Sequence, residues 1–164
     1  MRDTPARKIA FGGVFAALAM VIMNLGSLIP VATYVCPMLC MMLLAFVCKM
    51  CGNRIGWAWY GAVAILSLIM APDKEAAAVF TFLGFYPIVK PWFDRQRFGL
   101  IGKMALFNVL ILTMYALLIR LLGMEQIVAE FEEMGKILTV LMLFMGNLIF
   151  YLLDFALSRF SRFK

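Results

Sequence analysis

Residues 9–29 read IAFGGVFAALAMVIMNLGSLI, 21 consecutive positions without a charge. A membrane-spanning helix needs about 20 predominantly apolar residues, so this run is long enough to cross a bilayer. The basic residues Arg2, Arg7 and Lys8 precede it, an arrangement resembling the first two regions of a secretory signal peptide. The remainder of the chain favours a first membrane helix instead. Further apolar runs, bounded by Gly, Pro or charge, cover Tyr34–Met50, Ile55–Met70, Ala76–Phe93, Ile101–Leu122 and Ile137–Phe160. The reading is an all-α integral membrane protein with six transmembrane helices, residues 1–164 forming a single domain. Apolar and polar residues do not alternate as in a membrane β-barrel. The two halves show no repeat of the kind that builds inverted-repeat carriers.

Composition points the same way. Of 164 residues, 65% are apolar and 15% charged, with mean hydropathy +0.98. A soluble domain averages about 45–50% apolar and about 25% charged residues. A soluble enzyme and a nucleic-acid-binding domain are therefore excluded, and six spans leave no room for a separate soluble domain.

Charge gives the orientation. Lys and Arg accumulate in short cytoplasmic segments beside span ends. With the N-terminus inside, Arg2, Arg7, Lys8, Lys49, Arg54, Lys90, Arg95, Arg97, Lys103, Arg159, Arg162 and Lys164 all fall inside, 12 of the 15 basic residues. Only Lys74, Arg120 and Lys136 fall outside, where Asp73, Glu75, Glu125, Glu130, Glu132 and Glu133 supply six of the nine acids. Both termini are thus predicted to be cytoplasmic, in a multi-pass protein of the cell membrane. The net charge of +6 reads as a basic face against anionic lipid, with no nucleic-acid partner. Trp57, Trp59 and Trp92 fall at inner span ends, where indole rings anchor membrane proteins.

The absence of His removes histidine-ligated metals, Ser-His-Asp catalysis and the HExxH motif. Cys48-x-x-Cys51 has the spacing of a redox or metal pair, but a single such pair is weak, and buried apolar thiols are the simpler reading. No phosphate-binding loop occurs, and one intramembrane carboxylate cannot make a paired-acid protease. No catalytic residue, metal or cofactor is assigned.

Several positions carry more than apolar bulk. On the first helix Ala10, Gly13 and Ala17 form one small-residue stripe, and Gly12, Ala16 and Ala19 form another. Such small-xxx-small patterns let a second helix approach closely, either within this chain or in a partner. On the sixth helix Asn147, Tyr151 and Asp154 share a face by spacing, as do Asn108 and Tyr115 on the fifth. Asp154 lies at the depth of Lys103 and Lys90, either of which can pair with it. An intramembrane carboxylate is a functional candidate and equally a tie between helices. Pro87 should kink the fourth helix, leaving Tyr86 and Lys90 one turn apart, as an anion site, a hinge or a lysine snorkelling to the surface. Pro72-Asp73-Lys74-Glu75 forms an outer turn, either solvated or the lip of an outward pocket. The segment from Gly26 to Pro37, with Ser27 and Tyr34, lies over the same opening. Met124–Lys136 is spaced as an amphipathic helix on the outer surface.

The basic start running into a small-residue first helix, Arg7-Lys8-Ile9-Ala10-Phe11-Gly12-Gly13 through Ala16-Ala17, resembles the substrate-binding S components of energy-coupling factor (ECF) transporters. The resemblance implies six helices, inside termini and capture of a vitamin or related micronutrient from outside. It implies partners too: a transmembrane coupling subunit docked on Gly12, Gly13, Ala16 and Ala17, and ATPase subunits. A small-molecule pocket would open outward, lined by Asn24, Ser27, Tyr34, Asp73, Lys74, Glu75 and Tyr115, with Asn147 deeper. The signatures of the thiamine, riboflavin and biotin members are absent, which leaves the substrate unassigned. Two alternatives are a pocketless envelope scaffold, similar to the rod-shape membrane protein of elongation complexes, and a membrane enzyme or channel subunit.

Overall fold

The computed structural model describes residues 5–26, 32–96, 99–122, 140–141 and 144–159. Among them every regular element is helical: α1 (Pro5–Gly26), α2 (Ala32–Cys51), α3 (Asn53–Met70), α4 (Lys74–Leu83), α5 (Tyr86–Phe93) and α6 (Gly99–Leu122), followed by a helical segment over 144–159. Among the described residues four helices are long and apolar enough to cross a membrane: Ala6–Gly26, Tyr34–Cys51, Lys74–Phe93 (α4 with α5) and Gly99–Arg120. α3 begins on Asn53-Arg54 and carries two Trp and a Tyr, which lower its mean hydropathy. The predicted outer-surface helix over 124–136 lies outside the described residues, as do Ser27 and the basic residues Arg2, Arg97, Lys136, Arg162 and Lys164.

The chain divides into two compact units, Met1–Gln96 and Arg97–Lys164. In the first unit α2 is central, packing on α1, α3, α4 and α5, while α1 and α4 also pack on α3. α2 and α3 meet across one residue, Gly52, at φ +95°. Side chains rarely adopt that backbone region, so glycine makes the sharp corner possible. Asp73 caps α4 by accepting from the Ala76 amide at 3.0 Å. Behind that cap Ala76, Ala77, Ala78, Val79, Phe80 and Leu83 are all buried, so α4 is covered on nearly every side.

The predicted fourth span is broken. α4 ends at Leu83, Gly84 and Phe85 form a turn, and α5 resumes with Pro87 in its first turn. A proline ring collides with the carbonyl four residues earlier, here that of Leu83, so the helix parts ahead of Pro87. Tyr60 on α3 donates its hydroxyl to the Thr81 carbonyl beside the break.

The second unit is a helical pair. Lys103, Phe107 and Asn108 of α6 meet Asp154, Phe150 and Asn147 of 144–159 in turn. Contacts that advance along one helix as they retreat along the other mark antiparallel packing.

Candidate functional site

Three polar groupings concentrate the chemistry, two in the first unit and one in the second. Where α2 starts, α3 ends and α4 starts, Tyr34 donates its hydroxyl to Glu75 Oε1 at 2.9 Å. Beside this bond Asp73 caps α4, and the Lys74 ammonium donates to the Leu68 carbonyl at 2.9 Å and the Ile69 carbonyl at 3.5 Å. A cation there meets the exposed carbonyls and negative dipole end of α3. Of the residues read as lining one opening, Tyr34 and Glu75 are bonded directly, and Asp73 and Lys74 adjoin Glu75 at the start of α4. Asn24 is exposed and donates back to the Met20 carbonyl of its own helix at 2.8 Å.

The opposite end of the first unit is basic. The Cys51 thiol donates to the Lys8 carbonyl at 3.5 Å, tying the end of α2 to the start of α1. With α3 beginning and α5 ending at the same level, this end gathers Arg7, Lys8, Lys49, Arg54, Lys90 and Arg95. Its one acid among the described residues of the four helices, Asp94, stands 3.2 Å from the Lys90 ammonium one turn back. Lys90 and Tyr86 are both buried, so the inward face read from spacing is present. Lys90 reaches the half-exposed Asp94 carboxylate along its own helix.

The two stripes of α1 face different ways. Gly12 and Ala19 are buried and Ala16 half-buried, whereas Ala10, Gly13 and Ala17 are exposed. Trp59 is also turned inward: its indole donates to the Gly12 carbonyl at 3.0 Å and it is 5% exposed. The anchor role read for Trp59 is corrected by that bond, because the small residue at 12 leaves its carbonyl open to an indole. Trp57 and Trp92 are exposed, as an anchor requires. The four cysteines are free thiols, with Cys40 donating to the Ala19 carbonyl at 3.6 Å.

In the second unit Lys103 donates to both oxygens of Asp154, at 3.2 and 3.1 Å, with both residues buried. Spacing and depth leave Lys90 and Lys103 as alternatives, and the structure selects Lys103. One turn along, Asn108 and Asn147 exchange two amide bonds at 2.9 and 3.1 Å, and the Phe107 and Phe150 rings stack with centroids 4.6 Å apart. Tyr151 does not join this face and is 45% exposed. The buried arc is centred on Phe150, Leu153, Asp154 and Leu157, and at about 100° per residue Tyr151 lies a quarter turn from Phe150. Tyr115 is half-buried on α6 of the same unit.

Amide pairs between membrane helices are worth about 0.6 kcal/mol on average and up to about 1.7. Asn147→Leu should therefore cost about 0.6–1.7 kcal/mol in detergent unfolding, and Asn108→Leu in the same background should add little. Independent, additive losses would show that the two amides do not act as a pair.

No family model, curated protein or solved structure matches the chain.

Proposed function

We propose that this protein crosses the cell membrane six times with both termini in the cytoplasm, and serves as the substrate-capture subunit of an uptake transporter similar to the ECF type. The observation that carries the orientation is the segregation of charge in the first unit. Arg7, Lys8, Lys49, Arg54, Lys90 and Arg95 gather at one end, and Asp73, Glu75 and Lys74 at the other. Basic ends face the cytoplasm, which puts the Tyr34–Glu75 cluster on the side from which a nutrient arrives. Small-ligand sites combine apolar walls with a few placed polar groups, and Tyr34, Glu75, Asp73 and Lys74 offer both donors and acceptors. The exposed Ala10, Gly13 and Ala17 stripe supplies the face on which a coupling subunit would dock.

Co-purification from the native host tests this reading. Recovery of a transmembrane coupling subunit with two ATPases supports it, and Gly13→Trp should release them while the isolated protein stays folded. Gly12→Trp should instead destabilise the protein itself, because a side chain there points at Ile55 and Trp59. For orientation, Lys74→Cys in a background lacking the native cysteines should react with an impermeant thiol reagent from outside, and Lys49→Cys only after lysis. The reverse pattern overturns the topology.

A second reading draws on the same cluster. Asp73 and Lys74 direct their charges at the ends of α4 and α3, as a pocketless scaffold would use them. Recovery with cell-envelope synthesis proteins, and without ATPases, favours that reading.

A further inference from the structure

The basic end of the first unit holds a feature that substrate capture does not use. Between the first turns of α1 and the last turn of α2 lies a cavity of about 80 Å³, lined by Arg7, Lys8, Phe11, Met50 and Cys51. One water needs about 10–15 Å³ of such space, so the cavity admits a group of roughly five to eight heavy atoms and not a whole lipid. Two of its lining residues, Arg7 and Lys8, are basic, and the Cys51 thiol is directed to the Lys8 carbonyl. Among the described residues of these four helices the one carboxylate at this end is Asp94, held by Lys90. Among the described residues, the cavity's lining thus holds two basic side chains and no acid.

Its floor continues as an aromatic seam. Phe11 packs on Phe15 with centroids 4.9 Å apart, and Phe15 on Phe46 of α2 at 5.3 Å. All three rings are half-buried, neither sealed in the core nor fully open. A cationic mouth above a half-open apolar seam has the order of a phospholipid read from phosphate to acyl chain. A free anion would have no use for the seam, and a neutral lipid no use for the mouth.

We propose that this cavity and seam bind one anionic phospholipid, its phosphate held by Arg7 and Lys8 and one acyl chain lying along Phe11, Phe15 and Phe46. Its place in the inner leaflet rests on the orientation proposed above. Binding in detergent is blind to orientation, so a failed topology test would leave its outcome unchanged and the two can fail separately.

Native mass spectrometry of the full-length protein in detergent, titrated with phosphatidylglycerol or phosphatidylcholine, provides the test. The wild-type protein should retain one phosphatidylglycerol and release phosphatidylcholine. Charge-assisted bonds to phosphate are the strong ones, and Arg7→Gln with Lys8→Gln should weaken retention about thirtyfold. Arg54→Gln with Arg95→Gln removes the same charge from the same end at residues that do not line the cavity, and should change retention less than about threefold. Phe15→Ala should weaken phosphatidylglycerol while leaving the protein folded by circular dichroism. Millimolar inorganic phosphate should not displace the lipid. Equal loss in the two double variants would reduce the effect to net charge, and equal retention of both lipids, displacement by phosphate or indifference to Phe15→Ala would each overturn the site.

Discussion

Lys103→Met should destabilise the protein by about 3–5 kcal/mol, and adding Asp154→Leu should recover most of that loss. Lys103 and Asp154 are 5% and 8% exposed, and the ammonium reaches both carboxylate oxygens. Removing one partner leaves the other charge buried without compensation, which costs about 3–5 kcal/mol, whereas replacing both by apolar groups is often neutral or stabilising. The neighbouring Phe107–Phe150 stack favours that repair, since the new apolar pair would extend an apolar contact already made. Thermal unfolding of the two single variants and the double variant in one detergent closes the cycle. A Lys103→Met loss below about 1 kcal/mol would mean that water reaches Asp154. A double variant weaker than either single would mean that the pair sets helix register as well as neutralising charge.

This pair illustrates what the sequence carries and what it withholds. Depth along a span comes from counting residues at about 1.5 Å each, so Asp154 can be matched to Lys103 and Lys90 without coordinates. Rotation about the helix axis is set by the partner. Spacing therefore puts Asn147 and Asp154 on the correct face, yet carries along Tyr151, only about 40° from Asn147 at about 100° per residue. The same limit explains the stripes of α1, where spacing shows two faces and only packing against Ile55 and Trp59 chooses which turns inward. Depth alone suits Trp59 to an anchor, and no sequence pattern announces an indole donating to a backbone carbonyl 47 positions away. The outer cluster is legible because its charges lie in a short turn. The kink is legible from Pro87, although its site lies at Gly84 and Phe85, where the obstructed carbonyl of Leu83 forces the chain apart.

That break yields the second large effect. Gly84→Ala should cost about 3 kcal/mol, while Gly61→Ala in mid-α3 should stabilise by up to about 1 kcal/mol, the ordinary helix preference for alanine. Gly84 has an unstrained right-handed backbone, φ −59° and ψ −26°, so the cost does not come from its dihedral angles. It comes from space. A methyl at Gly84 would run into the Phe80 carbonyl oxygen and stand 3.0 Å from Tyr60 Cε2 and 3.1 Å from Phe80 Cε2. None of these can retreat cheaply. The Phe80 carbonyl accepts the Gly84 amide at 2.7 Å, the Phe80 side chain is fully buried, and Tyr60 is held by its bond to the Thr81 carbonyl. Overpacking of this kind costs about 1–3 kcal/mol and occasionally more, and a backbone obstacle belongs at the upper end. At Gly61 a methyl meets nothing within 4 Å, so the same chemical change acts there with the opposite sign. Unfolding midpoints of both variants in one detergent decide the matter. If Gly84→Ala unfolds with the wild-type midpoint, the break between α4 and α5 yields easily, and the close approach of Tyr60 and Phe80 does not hold it.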